Sequence, residues 1–169
     1  MTTASTSPVD MIGIFQRQMK PTLQMLANAI DACPETTWEG DGQSPAIWQH
    51  AYHTLVSLAI WLHWPTPAMV FPPFHRDGSD LKIGDGPAYT RELLQDYRIQ
   101  VYQQITDYFA KLTPENLTEV LKLRGQAFTR VDFILGQISH TQYHVGCMNS
   151  QLRRRTGSAP EWVDVGESK

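Results

Sequence analysis

The sequence predicts an all-α protein, a four-helix bundle with a long crossover connection between helices 2 and 3. Four long segments carry apolar residues at spacings of three and four, which is the period of an amphipathic helix. Alternation of apolar and polar residues, the signal of a half-buried strand, is nearly absent. With 169 residues, 41% of them hydrophobic, the chain has the length of one ordinary domain with a real core.

The first two predicted helices run from about Val9 to Ile30 and from about Pro45 to Trp64. Pro21 lies inside the first helix and is expected to kink or restart it, because proline lacks a backbone N–H. Ser44 is a candidate N-cap for the second helix, with Pro45 at the first helical position. The residues expected to face the core are Ile12, Phe15, Met19, Leu23, Leu26 and Ile30, then Ile47, Ala51, Leu55, Leu58 and Leu62.

The other two long helices are predicted from about Pro87 to Leu112 and from about Arg130 to Arg155, where Gly157 is a C-terminal stop. Between them, Thr113 resembles a cap that opens a short helical piece ending at Leu121. The residues expected to face the core are Tyr89, Leu93, Tyr97, Val101, Ile105, Tyr108 and Leu112, then Val131, Ile134, Leu135, Ile138, Val145 and Leu152.

The stretch PTPAMVFPPFHRDGSDLKIGDGP, between helices 2 and 3, has no apolar periodicity. A connection this long is uncommon unless it crosses the bundle or covers a site, so it is either a crossover strap or a lid. We therefore expect a disordered tail over residues 1–8, the helical bundle over residues 9–157 and a C-terminal tail over residues 158–169. Trp162 is expected to pack that last tail against the bundle, or else to contact a partner.

The composition and charge of the chain argue against several classes of protein. A formal net charge of -3 argues against a nucleic-acid binder. The basic run Arg153-Arg154-Arg155 is expected to complement the carbonyls at a helix end, with a site for an anion or a substrate carboxylate as the alternative. The sequence has no apolar run of about 20 residues, so no membrane span is predicted. Two unpaired cysteines, Cys33 and Cys147, indicate a reducing cytoplasm rather than a disulfide scaffold.

The stretch SHTQYHVGCMN carries His140 and His144, four residues apart on one face of the last helix. Both rings can reach one metal ion at about 2.0–2.1 Å, although a pair of hydrogen-bonded histidines would give the same pattern. They lie beside Phe133 and Cys147, off the centre of the aliphatic stripe, which suits the mouth of a bundle. The H-E-x-x-H arrangement of metalloproteases is absent.

A third ligand is available in IWQHAYHTL on the second helix. His53 is the preferred residue, because the residues one turn to either side of it form a mixed face that can turn inward. His50 is expected to orient a ligand from outside the coordination sphere, or else to lie on the surface. His63 and His75 have no comparable argument for a site.

Taken together, WQHAYHTL and HTQYHVGCMNSQLRRRTG resemble the motifs of the DinB/YfiT-like superfamily of metal-binding four-helix bundles. The resemblance does not extend to the DNA polymerase of the same name. It implies His53, His140 and His144 as ligands of a divalent ion, zinc or nickel, with water completing the coordination. Cys147, one turn past His144, is either a fourth and softer ligand or a small buried thiol.

Three neutral imidazoles leave the double charge of the ion intact, so such a site can activate water or a thiol. The predicted function is therefore a metal-dependent enzyme acting on small molecules, by hydrolysis or by transfer of a low-molecular-weight thiol. The resemblance includes thiol transferases of the bacillithiol and mycothiol type. The alternative is a non-catalytic binding or stress-related module with a structural metal closed by Cys147. The sequence identifies no proton shuttle. The resemblance also implies a homodimer, for which the aromatic-rich third helix could supply the surface, although its tyrosines are equally well explained as core residues.

Overall fold

The computed structural model describes residues 9–63, 71–76, 81–82 and 86–166, and these residues are mostly helical. No described helix is both long and apolar enough to cross a membrane. The elements in chain order are α1 (Met11–Asp31), α2 (Glu35–Trp38), α3 (Ile47–Trp61), α4 (Arg91–Lys111), α5 (Pro114–Leu117), β1 (Val120–Leu123), β2 (Gln126–Thr129) and α6 (Arg130–Thr156).

Four long helices occur where the periodicity predicts them, so the predicted helical character of the chain is confirmed. Two of their starts differ from the prediction. α3 begins after Ala46 rather than Ser44, and the side-chain oxygen of Gln49 accepts a hydrogen bond from the Ala46 N–H at 2.8 Å. α4 begins after Thr90, whose hydroxyl accepts from the Leu93 N–H, and not at Pro87. α1 continues through Pro21 as one helix, so the helix is not restarted there.

A β-hairpin replaces the end of the short helical piece that the sequence predicts through Leu121. β1 and β2 pair antiparallel, with Leu121 opposite Phe128 and Leu123 opposite Gln126. The two turn residues, Arg124 and Gly125, both have positive φ, at 52° and 80°. A two-residue turn of this kind matches the twist of the strands that it joins, and Gly125 adopts it without strain.

The long helices pack in neighbouring pairs around a shared core. α1 and α3 both contact α6, and α4 contacts α3 and α1. The stripe predicted for α3 is fully buried, but Leu135 of α6 is 49% exposed and is not a core residue. The buried stripe of α6 passes through Ile134 instead, and adjacent helical residues point about 100° apart. That stripe consists of Ile134, Ile138, Thr141, Val145, Met148 and Leu152.

Described parts of the connection between α3 and α4 are fastened to both helices. Phe74 packs on Tyr97, and the Gln49 side chain donates to the Lys82 carbonyl at 2.7 Å. Much of the predicted lid lies outside the described residues. At the other end of the chain, Ala159 and Val163 pack against the core, whereas Trp162 is 64% exposed and is not the principal anchor. The tail predicted over residues 1–8 also lies outside the described residues.

Replacing Thr129 by alanine should lower the free energy of unfolding by about 1 kcal/mol, because Thr129 caps α6. Its hydroxyl accepts from the Asp132 N–H, and Asp132 in turn accepts from the Thr129 N–H at 2.7 Å. Urea denaturation measures the change. Thr106→Ala, at an exposed position inside α4, is the matched control and should be neutral or slightly stabilising. Equal effects of the two substitutions would contradict the capping role.

Candidate metal centre

His53 of α3 and His140 and His144 of α6 form a group whose ligand nitrogens all lie within 4.8 Å of one another. The Nε2 atom of His140 is 3.1 Å from Nε2 of His53 and 3.0 Å from Nε2 of His144. His144 is buried, whereas His53 and His140 are half-buried. The three imidazoles that the sequence singles out therefore converge, one from α3 and two from α6.

The three imidazoles converge because a row of polar contacts joins the facing sides of α3 and α6. We call this row the polar seam. Its three contacts are His50 with His144, His53 with His140, and Ser57 with Gln137. The numbers rise along α3 while they fall along α6, so the two helices lie antiparallel at this seam. Each step is about one helical turn, which keeps the successive side chains on one face of each helix.

Hydrogen bonding alone does not satisfy the three histidines. A ring nitrogen holds either one proton or one lone pair in its plane. Nε2 of His140 therefore cannot form a well-aligned hydrogen bond with both neighbouring nitrogens. A cation satisfies all three lone pairs at once, and tetrahedral bonds of about 2.0–2.1 Å require nitrogens about 3.3 Å apart. The observed separations of 3.0 and 3.1 Å are near that value, so these residues fit a divalent metal ion.

His50 lies on the far side of His144 from this group. Its Nδ1 atom is 2.9 Å from Nδ1 of His144, and both rings are buried. A ligating histidine commonly uses its second nitrogen to bind a neighbour that fixes the ring orientation. The structure thus places His50 where an orienting partner of His144 would be, and not on the surface.

Cys147 is not a member of the three-histidine group. It is half-buried, and its interaction with Tyr143 raises the pKa of the tyrosine hydroxyl. His63 and His75 also lie elsewhere: His63 packs edge-on against Tyr108, and His75 stacks on Phe71. Neither of these two histidines belongs to the group.

Burial favours the neutral imidazole form of His50, His140 and His144, and the neutral form is the one that binds a metal. Burial is the main cause that lowers the pKa of His144 to about 3, and the neighbouring histidines add to it. Burial, with a smaller contribution from His53, lowers the pKa of His50 to about 4. The pKa of His140 is lowered for the same reasons.

Two residues of the seam had no functional signal in the sequence. Ser57 donates to the side-chain oxygen of Gln137 at 3.1 Å, and both residues are buried. They lie one turn from His53 and His140, so they continue the row of contacts that aligns α3 with α6. Only the antiparallel contact of α3 with α6 reveals the pair, because serine and glutamine form no recognisable motif at these positions.

Comparison with known proteins gives one match. A family model described as the DinB superfamily matches residues 18–148, which include all three histidines of the group. No curated protein and no solved structure matches the chain.

Metal-free protein should lose stability as the pH falls below about 6.5. In the unfolded chain the imidazoles titrate near the ordinary value of 6.5, whereas in the folded chain the pKa of His50 is about 4 and that of His144 about 3. Between these values the unfolded state binds protons that the folded state excludes. Stability is therefore complete above pH 6.5 and falls by about 1.4 kcal/mol per pH unit for each excluded proton.

Urea denaturation between pH 7.5 and pH 5, in the presence of a chelator, measures this loss. The double variant His50→Gln with His144→Gln removes the two most depressed groups and should give a flatter profile. A native profile that is already flat over this range would contradict the assignment of buried neutral imidazoles.

Proposed function

Because the chain belongs to the DinB superfamily, we propose that it is a metal-dependent enzyme that acts on small molecules through an open three-histidine site. The observation that carries the proposal is the convergence of three imidazole nitrogens from α3 and α6. In this proposal α1, α3, α4 and α6 form a four-helix bundle, and the connection between α3 and α4 crosses it. The reaction is either hydrolysis or the transfer of a low-molecular-weight thiol.

His53, His140 and His144 would hold the ion through their Nε2 atoms, which are the nitrogens that face one another. A divalent ion, zinc or nickel, supplies Lewis acidity that favours the ionised form of water or a thiol. The neutral ligands leave its charge uncompensated, which strengthens this effect. No carboxylate side chain belongs to the group, as far as the described residues show.

The proton positions of the two buried rings follow from this ligation. When Nε2 of His144 uses its lone pair on the ion, the proton of the neutral ring is on Nδ1. That Nδ1–H donates to Nδ1 of His50, which lies at 2.9 Å. His50 then carries its own proton on Nε2, away from His144. The chain thereby fixes the orientation of one ligand and presents a second N–H donor beside the site.

Two observations favour an open site over a structural metal. The thiol of Cys147 is not a member of the three-histidine group. His53 and His140 are half-buried, so these two ligands are not fully enclosed by the protein. Structural zinc sites have four protein ligands, whereas catalytic sites keep one position for a water or a substrate. A group of three protein ligands matches the catalytic pattern.

Purified protein stripped of metal and reloaded with zinc or nickel should bind one ion per chain. His53→Gln and His140→Gln should each weaken binding by more than about 100-fold, and His50→Gln by about 10- to 100-fold. Elemental analysis and titration calorimetry measure stoichiometry and affinity. His63→Gln is the matched control, because His63 contacts Tyr108 and not the group. Unchanged affinity in both ligand variants would remove the proposed site.

X-ray absorption at the metal edge should show nitrogen and oxygen neighbours and no sulfur. Cys147→Ser should leave that spectrum and the metal affinity unchanged. A sulfur neighbour at about 2.3 Å that disappears in Cys147→Ser would instead establish the closed structural site. With the site open, metal-loaded protein is screened for thiol conjugation and for ester and amide hydrolysis, and His140→Gln should lack whichever activity is found. Size-exclusion chromatography tests the homodimer, which stays a prediction.

A further inference from the structure

A groove runs along the contact between α3 and α6, beside the metal centre, and we call it the α3–α6 groove. Its volume is about 640 Å³. Its lining includes His50 on the α3 side, Tyr143, Cys147 and Arg154 along α6, and Leu81 from the connection between α3 and α4. A cavity of this size, with a few polar groups in a largely apolar lining, has the dimensions of a small-molecule site.

One end of the groove meets the metal centre at His50. Nδ1 of His50 contacts His144, which is itself a member of the three-histidine group. Nε2 of His50 forms no hydrogen bond with any of the described residues. In the tautomer derived above, this nitrogen carries the proton. His50 lines the groove, so its ring is a polar group at the end that adjoins the three-histidine group.

The other end is marked by Arg154, the one formally charged side chain among the described lining residues. Among the described residues Arg154 forms no ion pair, whereas its neighbour Arg155 binds Asp41 at 3.0 Å. The side chain of Gln151, one turn before Arg154, donates to the Pro45 carbonyl at 2.9 Å. No aspartate or glutamate of the described part of the chain lines the groove. The guanidinium thus lacks an anionic partner from the described part of the chain.

The polar features at the two ends of the groove both favour a negatively charged ligand. The groove has a cation at one end and the His50 ring at the other, in a protein whose formal net charge is -3. Attraction of anions to the whole surface is therefore not expected, and any anion that binds must do so locally. A guanidinium suits this role because its planar N–H donors match the two oxygens of a carboxylate or phosphate.

We propose that the α3–α6 groove binds an anionic small molecule, with its carboxylate or phosphate group on Arg154 and its remaining length directed towards His50. His144 and Arg154 are separated by ten residues of α6, about 15 Å along the helix. A ligand on the order of 10 Å long therefore extends from the guanidinium over most of this distance towards His50. That this ligand is the substrate rests on the proposed function, whereas binding of the anion does not require the metal.

Octanoate and octyl phosphate are suitable probes, with octanol and octylammonium as uncharged and cationic counterparts. Their affinities are measured by titration followed by NMR, which also reports whether the amides around Tyr143, Cys147 and Arg154 shift. Both anions should bind more tightly than octanol or octylammonium. Arg154→Gln should weaken the anions by about tenfold or more and leave octanol unchanged. Octanol and octylammonium binding as tightly as octanoate would overturn the proposal.

Arg153→Gln is the matched control, because Arg153 is adjacent on α6 and lines a different depression, together with Trp162. It removes the same charge and should leave octanoate affinity unchanged. Equal losses in Arg153→Gln and Arg154→Gln would overturn the proposal, since only general surface charge would then be acting. Arg154→Lys keeps the charge without the planar fork and should bind octanoate with intermediate affinity.

Running each titration on metal-free and metal-loaded protein separates this inference from the proposed function. If no metal binds but octanoate binding depends on Arg154, the enzyme proposal fails and the anion site stands. If one ion binds per chain but Arg154→Gln has no effect on octanoate, the enzyme proposal stands and the anion site fails. If octanoate shifts the His50 ring resonances only in the native protein and not in Arg154→Gln, the proposed direction of the ligand is supported.

Discussion

The antiparallel contact of α3 with α6 is the constraint on which the rest of the structure depends. Along it, His50 meets His144, His53 meets His140, and Ser57 meets Gln137. Buried polar groups cost free energy unless they are hydrogen-bonded. A shift of one helix by a turn would separate all three pairs and leave the buried side chains at the two ends of the row without a partner in it. The polar seam therefore fixes the register of the two helices, and the same register brings the three imidazoles together.

The seam fixes this register, but burying its imidazole nitrogens costs free energy. A bound metal ion would offset that cost. Burial disfavours the charged form of His144 and His50, and Nε2 of His140, which is about 3 Å from the Nε2 atoms of both His53 and His144, cannot form a well-aligned hydrogen bond with both. A ligand that binds only the folded state stabilises it in proportion to the logarithm of its concentration over its Kd. Local rules of packing are commonly broken at functional sites, and this cluster of neutral imidazoles is such a place.

The sequence predicts features that depend on a single helix. It does not predict features that depend on how two elements pack against each other. The spacing of His140 and His144 places both on one face, and helical periodicity identifies the buried stripe of α3. That His53 reaches the same point required a resemblance to a family, because periodicity says nothing of how helices are aligned. The pairing of Ser57 with Gln137 is likewise set by the register of α3 against α6.

The errors have similar causes. The sequence does not predict the hairpin, because each strand has only four residues, too few for a clear alternation, although Arg124 and Gly125 form a tight turn with positive φ. The apolar pattern predicts a buried Leu135, but the pattern does not define the exact orientation of α6, and the side chain is exposed. An error of about 100° on a helical wheel is one residue, so an apolar neighbour of a core residue is easily misassigned.

α6 carries His140, His144 and Arg154, and both of its ends are held by capping contacts and ion pairs. At its start, Thr129 and Asp132 cap each other and Arg130 pairs with Glu119 at 3.0 Å. At its end, Gly157 adopts a left-handed φ of 81° and donates to the Arg153 carbonyl, while Arg155 pairs with Asp41. Residues on a helix with both ends fixed keep their distances from one another. Two histidines of the group and Arg154 are thus carried on one helix, and a ligand that contacted both would have to match the distance between them.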